Sequence, residues 1–312
     1  MNIKHQNNMQ NKIKLAKIIS KIENEHPDTE KILNDVWHNV GSAYRIGITG
    51  PPGVGKSTLV DKIALQLSEQ NLKIAIVSVD PSSPFGGGAL LGDRIRMNEL
   101  SLNPNIFIRS LATRGSLGGL SVKTQDICDV IDSFGYDIIL IETVGVGQIE
   151  LDIVEASDIT TVVLVPESGD DIQSMKSGLM EIGNIFVINK SDRDGANSLE
   201  TNINSMLQLK KQYKNSNDYD IPVIQTVATK NKNIDLLLEH ILRYRTKLKQ
   251  NNDWFLARKN RIENKINELI TTHLLENFWS DERKSIIQEH LKKSNCFDNT
   301  PYQIFHKLLN VK

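Results

Sequence analysis

Residues 50–57 read G-P-P-G-V-G-K-S, every fixed position of the eight-residue phosphate-binding loop. Gly50 and Gly55 frame Pro51, Pro52, Gly53 and Val54, and Lys56, Ser57 and Thr58 follow. Glycines let such a loop curl until successive N–H groups face inward, and that concave nest binds anionic oxygens. Lys56 is placed to reach the β- and γ-phosphates and the Ser57 hydroxyl to hold Mg²⁺. The following helix adds the positive end of its dipole. Context agrees: Arg45–Thr49 reads as a short buried strand, and Leu59, Ile63, Leu65 and Leu67 fall roughly on one face of a helix. A chance glycine-rich turn would need neither neighbour, so a bound nucleoside triphosphate is expected.

Apolar runs recur along the chain with helical patterns between them. Residues 73–79, 105–109, 137–141, 159–165, 185–188 and 222–225 join 45–49 as strands. Most are continuous β-branched runs, as parallel strands covered on both faces require. Seven strands alternating with helices imply an α/β fold, a doubly wound and mostly parallel sheet with ligands at the strands' carboxyl ends. That is the P-loop NTPase arrangement. Three regions follow: an N-terminal helical segment over 1–43, a nucleotide-binding domain over 44–250, and a helical extension over 251–312. Residues 11–40 read as two short helices. The first dozen residues, rich in Asn, Gln and Lys, are expected to fray. In the extension, Ile262, Ile266, Leu269, Ile270, Leu274 and Phe278 form an apolar stripe, either packed on the same chain or forming a dimer surface.

Composition narrows the setting of the 312 residues. The net charge is −1, so no global field recruits nucleic acid or an anionic membrane. The two cysteines, Cys128 and Cys296, cannot make a disulfide framework and form no metal-ligand pair in sequence. Nothing approaches the run of about 18 apolar residues that a membrane span needs, and the N-terminus lacks the pattern of a signal peptide. The expectation is a cytoplasmic protein.

Asn189-Lys190-Ser191-Asp192 follows the strand 185–188. N-K-x-D at a strand end reads guanine, because one carboxylate can accept from both the ring N1–H and the exocyclic amine, a pair adenine does not offer. Asn189 and Lys190 brace the loop and the base face. Thr226, Val227 and Ala228, after the next strand, are expected to set a backbone amide against the guanine carbonyl. The bland reading makes Asp192 a helix N-cap. Asp80 and Glu142 end the second and fourth strands and are candidates for the Mg²⁺ and water network. Glu142 opens E-T-V-G, where most GTPases have D-x-x-G. Its longer side chain can act through a water, and Gly145 supplies an amide free to swing to a γ-phosphate. Val146 stands where Ras-like enzymes carry glutamine, so intrinsic hydrolysis should be slow. Asp93 lies beyond a Gly-, Ser- and Pro-rich stretch that reads as a switch, and would bind Mg²⁺ or orient water unless it is only a solvated loop residue.

The strings G-P-P-G-V-G-K-S-T, V-D-P-S-S-P-F-G-G-G, L-G-D-R-I-R-M, T-R-G-S-L-G-G-L, E-T-V-G-V-G-Q and N-K-S-D together resemble the methylmalonyl-CoA mutase-associated GTPases (MeaB/ArgK). The resemblance runs from about residue 40 to 250. These are relatives of signal-recognition-particle and nickel-insertion GTPases. It implies a G-protein chaperone, homodimeric through its C-terminal extension, that uses GTP and Mg²⁺ to gate cofactor loading of an adenosylcobalamin-dependent acyl-CoA mutase and to protect it from inactivation. It also implies that Lys56, Ser57, Asp80, Asp93 and Glu142 serve phosphate, metal and switch, and that Asp192 reads the base. Residues 167–176 resemble a further switch that couples nucleotide state to the mutase, with Gly169, Asp170, Gln173 and Lys176 matching.

Three other readings compete. A nickel-insertion GTPase needs soft or imidazole ligands near its switches, and neither His nor Cys occurs in 80–98 or 142–150. A nucleotide-dependent scaffold with negligible turnover fits the missing glutamine but not the acidic set. A small-molecule kinase would need an acceptor pocket that the sequence does not show, and the H-R-D and D-F-G motifs of protein kinases are absent.

Overall fold

The computed structural model describes residues 3–81, 100, 102–113, 119–143, 149–169, 178–214, 220–292 and 299–310. Two compact units divide the chain, Met1–Ala257 and Arg258–Lys312.

In the first unit, seven parallel strands form one sheet in the order β3-β2-β4-β1-β5-β6-β7. The strands are β1 Tyr44–Thr49, β2 Ile74–Pro81, β3 Ile106–Thr113, β4 Ile138–Thr143, β5 Ile159–Leu164, β6 Ile185–Ile188 and β7 Val223–Gln225. Each falls where an apolar run was read. β-Branched runs suit this sheet because both faces are covered. On β4, Ile138 and Leu140 face one apolar cluster, while Ile139 and Ile141 face another. The first cluster is filled by helices α3 (Lys56–Glu69) and α8 (Ile234–Gln250). The second takes α1 (Ile3–Glu23), α4 (Gly119–Ser133) and α5 (Ile149–Ala156). Beside β5 and β6, the short α6 (Leu179–Ile182) and α7 (Ala196–Lys214) build a third. Strand order reverses at β1, between β4 and β5, and ligands of such sheets bind at that crevice.

Two polar features steer the chain into β1. The Asp132 carboxylate on α4 accepts from the amides of Gly41, Ser42 and Ala43 at 2.8, 3.1 and 2.9 Å. Buried Arg45 pairs through Nη2 with Asp129 at 2.5 Å, and its amide donates to Asp158 at 2.9 Å.

Two helices precede β1, as the pattern over 11–40 predicts: α1 (Ile3–Glu23) and α2 (Thr29–Val36). The difference lies at the start, where α1 begins at Ile3, within the dozen residues expected to fray. Leu15, Ile19 and Ile22 are buried against the second cluster. Lys12 Nζ donates to the carbonyls of Asn103 and Ile106 at 2.8 and 2.6 Å, and Arg109 on β3 pairs with Glu23. Once those contacts nucleate the helix, propagation into a polar start costs little per residue.

The first unit runs to Ala257, and near its end Trp254 stacks on Tyr44 with ring centroids 5.6 Å apart. The second unit holds the remainder of α9 (Asp253–Phe278), α10 (Asp281–Lys292) and α11 (Pro301–Leu309). Arg283 ties it together, donating to the carbonyls of Phe278 and Leu308 at 2.8 and 3.1 Å. A capping box of Thr300 and Gln303 starts α11. The α9 stripe is exposed, with Ile266, Leu269 and Ile270 each about half accessible. Among the described residues, no helix is long and apolar enough to cross a membrane.

Candidate functional site

Between β1 and α3 the loop takes the conformation its glycines permit. Gly50 has φ +138°, and a Cβ there would lie 2.1 Å from the Val163 carbonyl oxygen. Gly55 has φ +92°, and its Cβ would lie 2.5 Å from Asn189 Nδ2. Any other residue would push the loop away from β5 and from the loop after β6. Lys56 is buried, with Nζ donating to the carbonyls of Gly50 and Pro51 at 2.7 and 2.8 Å. The ammonium thus lies folded over the loop that would cradle phosphate.

Ser57, in the first turn of α3, donates from Oγ to Glu142 Oε1 at 2.6 Å. Glu142 reaches it because β4 lies beside β1, with Ile48 opposite Glu142 in register. One residue further, the buried hydroxyls of Thr49 and Thr143 bond at 3.0 Å, closing the strand ends below the loop. Asp80 stands at the carboxyl end of β2, next to β4, whose Thr143 pairs with Val79; its side chain is not among those described. A hydroxyl and a carboxylate at hydrogen-bond distance are hard oxygen donors. They suit Mg²⁺, which takes one or two carboxylates plus substrate phosphates in preference to a full protein cage.

The loop after β6 is fastened to the phosphate loop. Buried Asn189 donates from Nδ2 to the Val54 carbonyl at 2.9 Å. Its Oδ1 accepts from the Thr226 hydroxyl at 3.2 Å and from the Ala228 amide at 3.1 Å. Lys190, at φ +56°, sends Nζ to the Gly53 carbonyl at 2.7 Å. Asn189 and Lys190 therefore stitch three loops into one frame. The amides of Thr226 and Val227 donate to the carbonyls of Ile188 and Lys232. All three amides expected to face guanine thus already have protein acceptors, and a base carbonyl would have to share one.

Asp192 lies in the turn before α7, too far from its first residue, Ala196, to cap it. Its Oδ2 accepts from Lys230 Nζ at 2.8 Å, and that bond holds its carboxyl below the usual range. A depressed carboxyl stays ionised at neutral pH and loses its charge, with the contact, only as pH falls through the lowered value. Sequence reading missed Lys230, and also Arg193, whose Nη1 pairs with Glu167 at 2.5 Å. Both partnerships join loops distant in sequence, and no local pattern signals them. Gly169 ends the turn Pro166–Gly169. Asp93, Gly145, Asp170, Gln173 and Lys176 lie outside the described residues.

The model of the family described as methylmalonyl-CoA mutase-associated GTPase MeaB matches residues 15–283. The chain belongs to this family. A Pyrococcus abyssi relative, named as a GTPase, is 41% identical over 94% of this chain and 91% of its own length. The GTPase ArgK of Escherichia coli is 33% identical over 75% of this chain and 72% of its own. The crystal structure of a LAO/AO transport system kinase superposes with a TM-score of 0.71 at 22% identity, covering 99% of this chain and 98% of that one; at that identity the likeness is one of fold. This MeaB-family chain is a GTPase on the P-loop NTPase fold, with GTP and GDP as its nucleotides.

Proposed function

We propose that this GTPase is a G-protein chaperone of an adenosylcobalamin-dependent acyl-CoA mutase, methylmalonyl-CoA mutase by default, acting in the cytoplasm as a homodimer. Hydrolysis gates cofactor loading and protects the mutase from inactivation. The observation that carries the nucleotide chemistry is the meeting of Ser57 and Glu142 at the mouth of a glycine loop that Asn189 fastens to the base loop. The family's name supports the partner.

In this reading the loop amides and Lys56 hold the β- and γ-phosphates, Lys56 exchanging the carbonyls of Gly50 and Pro51 for phosphate oxygens. Ser57, Glu142, Asp80 and Asp93 would hold Mg²⁺, which would supply countercharge to the phosphates, and would order the attacking water. Water adds to the γ-phosphorus, the bond to the β-phosphate oxygen breaks, and GDP and phosphate leave; the protein contributes positioning and electrostatics. Asp192 reads guanine. Gly145 answers the γ-phosphate, and Gly169, Asp170, Gln173 and Lys176 carry that state to the mutase. The GTPase domain is assigned to 44–250, preceded by the helical segment 1–43, and the extension 251–312 to dimerisation through its exposed α9 stripe.

The test is steady-state GTP hydrolysis by the purified chain, alone and titrated with apo- and holo-mutase. A low rate that rises saturably with mutase is expected. A rate indifferent to every cobalamin-dependent mutase offered would overturn the partner and leave the GTPase standing.

A further inference from the structure

The proposed chemistry assigns Asp192 to the base but leaves its neighbour unexplained. Lys230 Nζ lies 2.8 Å from Asp192 Oδ2. Exposed ion pairs are common and weak; Arg243 and Glu239, one turn apart on α8, form an ordinary one. The Lys230–Asp192 pair differs in where its ends are anchored. Lys230 closes the turn Ala228–Lys230 after β7, its amide donating to the Val227 carbonyl at 2.9 Å. Asn231 follows at φ +54°, and Val227 and Lys232 exchange amide bonds at 3.3 and 3.2 Å. Across from it, the Ser191 amide donates to the Thr226 carbonyl and the Arg193 amide to the Lys190 carbonyl, both at 3.0 Å. The Ala228 amide, at the start of the Lys230 turn, also donates to Asn189 Oδ1 at 3.1 Å, three residues before Asp192. The two side chains remain to be ordered, and the bond between them adds to the contact of the Asp192 carboxylate with its own backbone amide.

A carboxylate offers about four lone-pair positions over its two oxygens. Guanine's N1–H and exocyclic amine use one on each oxygen. The ammonium of Lys230 uses a further one on Oδ2, so it can stay while the base binds. Without it, a carboxylate with 43% of its side-chain surface exposed keeps the contact with its own backbone amide but loses its side-chain partner and is less closely held, whereas two simultaneous bonds to a planar base require a single rotation.

We propose that Lys230 is a specificity-determining positioning residue, holding the Asp192 carboxylate at the rotation that accepts both guanine donors. The inference rests on Asp192 being the base reader. It separates from a generic attraction of Lys230 for phosphate, because inosine nucleotides carry the same phosphates and lack the exocyclic amine. They need only one carboxylate oxygen and tolerate its rotation.

The experiment measures Kd for GDP and for inosine diphosphate by titration calorimetry on the full chain, its Lys230→Met and Lys230→Arg variants, Asp192→Ala, and the Asp192→Ala/Lys230→Met double variant. Lys230→Met should narrow the preference for GDP over inosine diphosphate about two- to five-fold, the range an exposed pair supports. Lys230→Arg should restore most of it, and in the Asp192→Ala background Lys230→Met should leave the ratio unchanged. An equal loss for both nucleotides, or a change of ratio that persists without Asp192, would overturn the proposal while leaving Asp192 as reader. A full GDP preference in Asp192→Ala alone would remove the base-reading assignment itself, and the proposal with it.

Discussion

Asn189→Ala tests whether the nucleotide site is one frame or three separate loops. In the native chain the Asn189 side chain satisfies the Val54 carbonyl, the Thr226 hydroxyl and the Ala228 amide, and all three residues are buried. Truncation leaves each of those groups without its partner. A buried group stripped of its hydrogen bond costs about 1–3 kcal/mol, and water entering the space left behind recovers part of that. A loss of about 3–5 kcal/mol is expected, a large part of the roughly 5–15 kcal/mol that holds a domain folded. For a unit of this size each kcal/mol lowers Tm by about 2–4 °C, so the ligand-free variant should melt roughly 10 °C early by circular dichroism. Asn189→Asp should fall between, because its oxygen still serves Thr226 and Ala228 but a second oxygen then faces the Val54 carbonyl. If Asn189→Ala melts within about 2 °C of the parent, the hydrogen bonds carry no net energy and the single-frame argument is wrong.

Other consequences follow from the same geometry. Asp192→Asn should move preference from guanosine to xanthosine triphosphate, since the amide keeps one acceptor but sets an NH2 donor against guanine's exocyclic amine, where xanthine offers a carbonyl; competition binding that still favours GTP would remove Asp192 from base reading. Glu142→Gln, which keeps a partner for the Ser57 hydroxyl but removes the charge, should raise the Mg²⁺ concentration needed for half-maximal GTP hydrolysis. An unchanged Mg²⁺ dependence would place Glu142 outside the metal network. Asp129→Ala removes the carboxylate bonded to the buried Arg45 guanidinium and should cost about 3–5 kcal/mol, whereas an apolar pair at both positions should lose much less; equal losses in urea denaturation would show that packing dominates there. If the proposed dimer forms through α9, Ile266→Glu combined with Ile270→Glu, which places charge on its exposed stripe, should shift the particle mass measured by light scattering from dimer to monomer. A dimer that survives would mean the stripe is not its interface.

Local chemistry made much of this protein legible in the order of its residues. The phosphate loop needs particular dihedrals at Gly50 and Gly55 and particular donors at Lys56 and Ser57, and all of these follow one another along the chain. The seven strands were readable because a sheet covered on both faces demands unbroken apolar runs. Where α1 begins was not readable, because what holds that helix is its contact with β3. The bond between Ser57 and Glu142, the Asn189 fastening of phosphate loop to base loop, and the pairing of Asp192 with Lys230 came only from tertiary structure. Periodicity reports which face of an element is apolar, but which polar groups meet across it depends on strand order. By setting β1 between β4 and β5, the sheet brings an acid from one strand end and an amide from the far side of the fold to the same glycine loop.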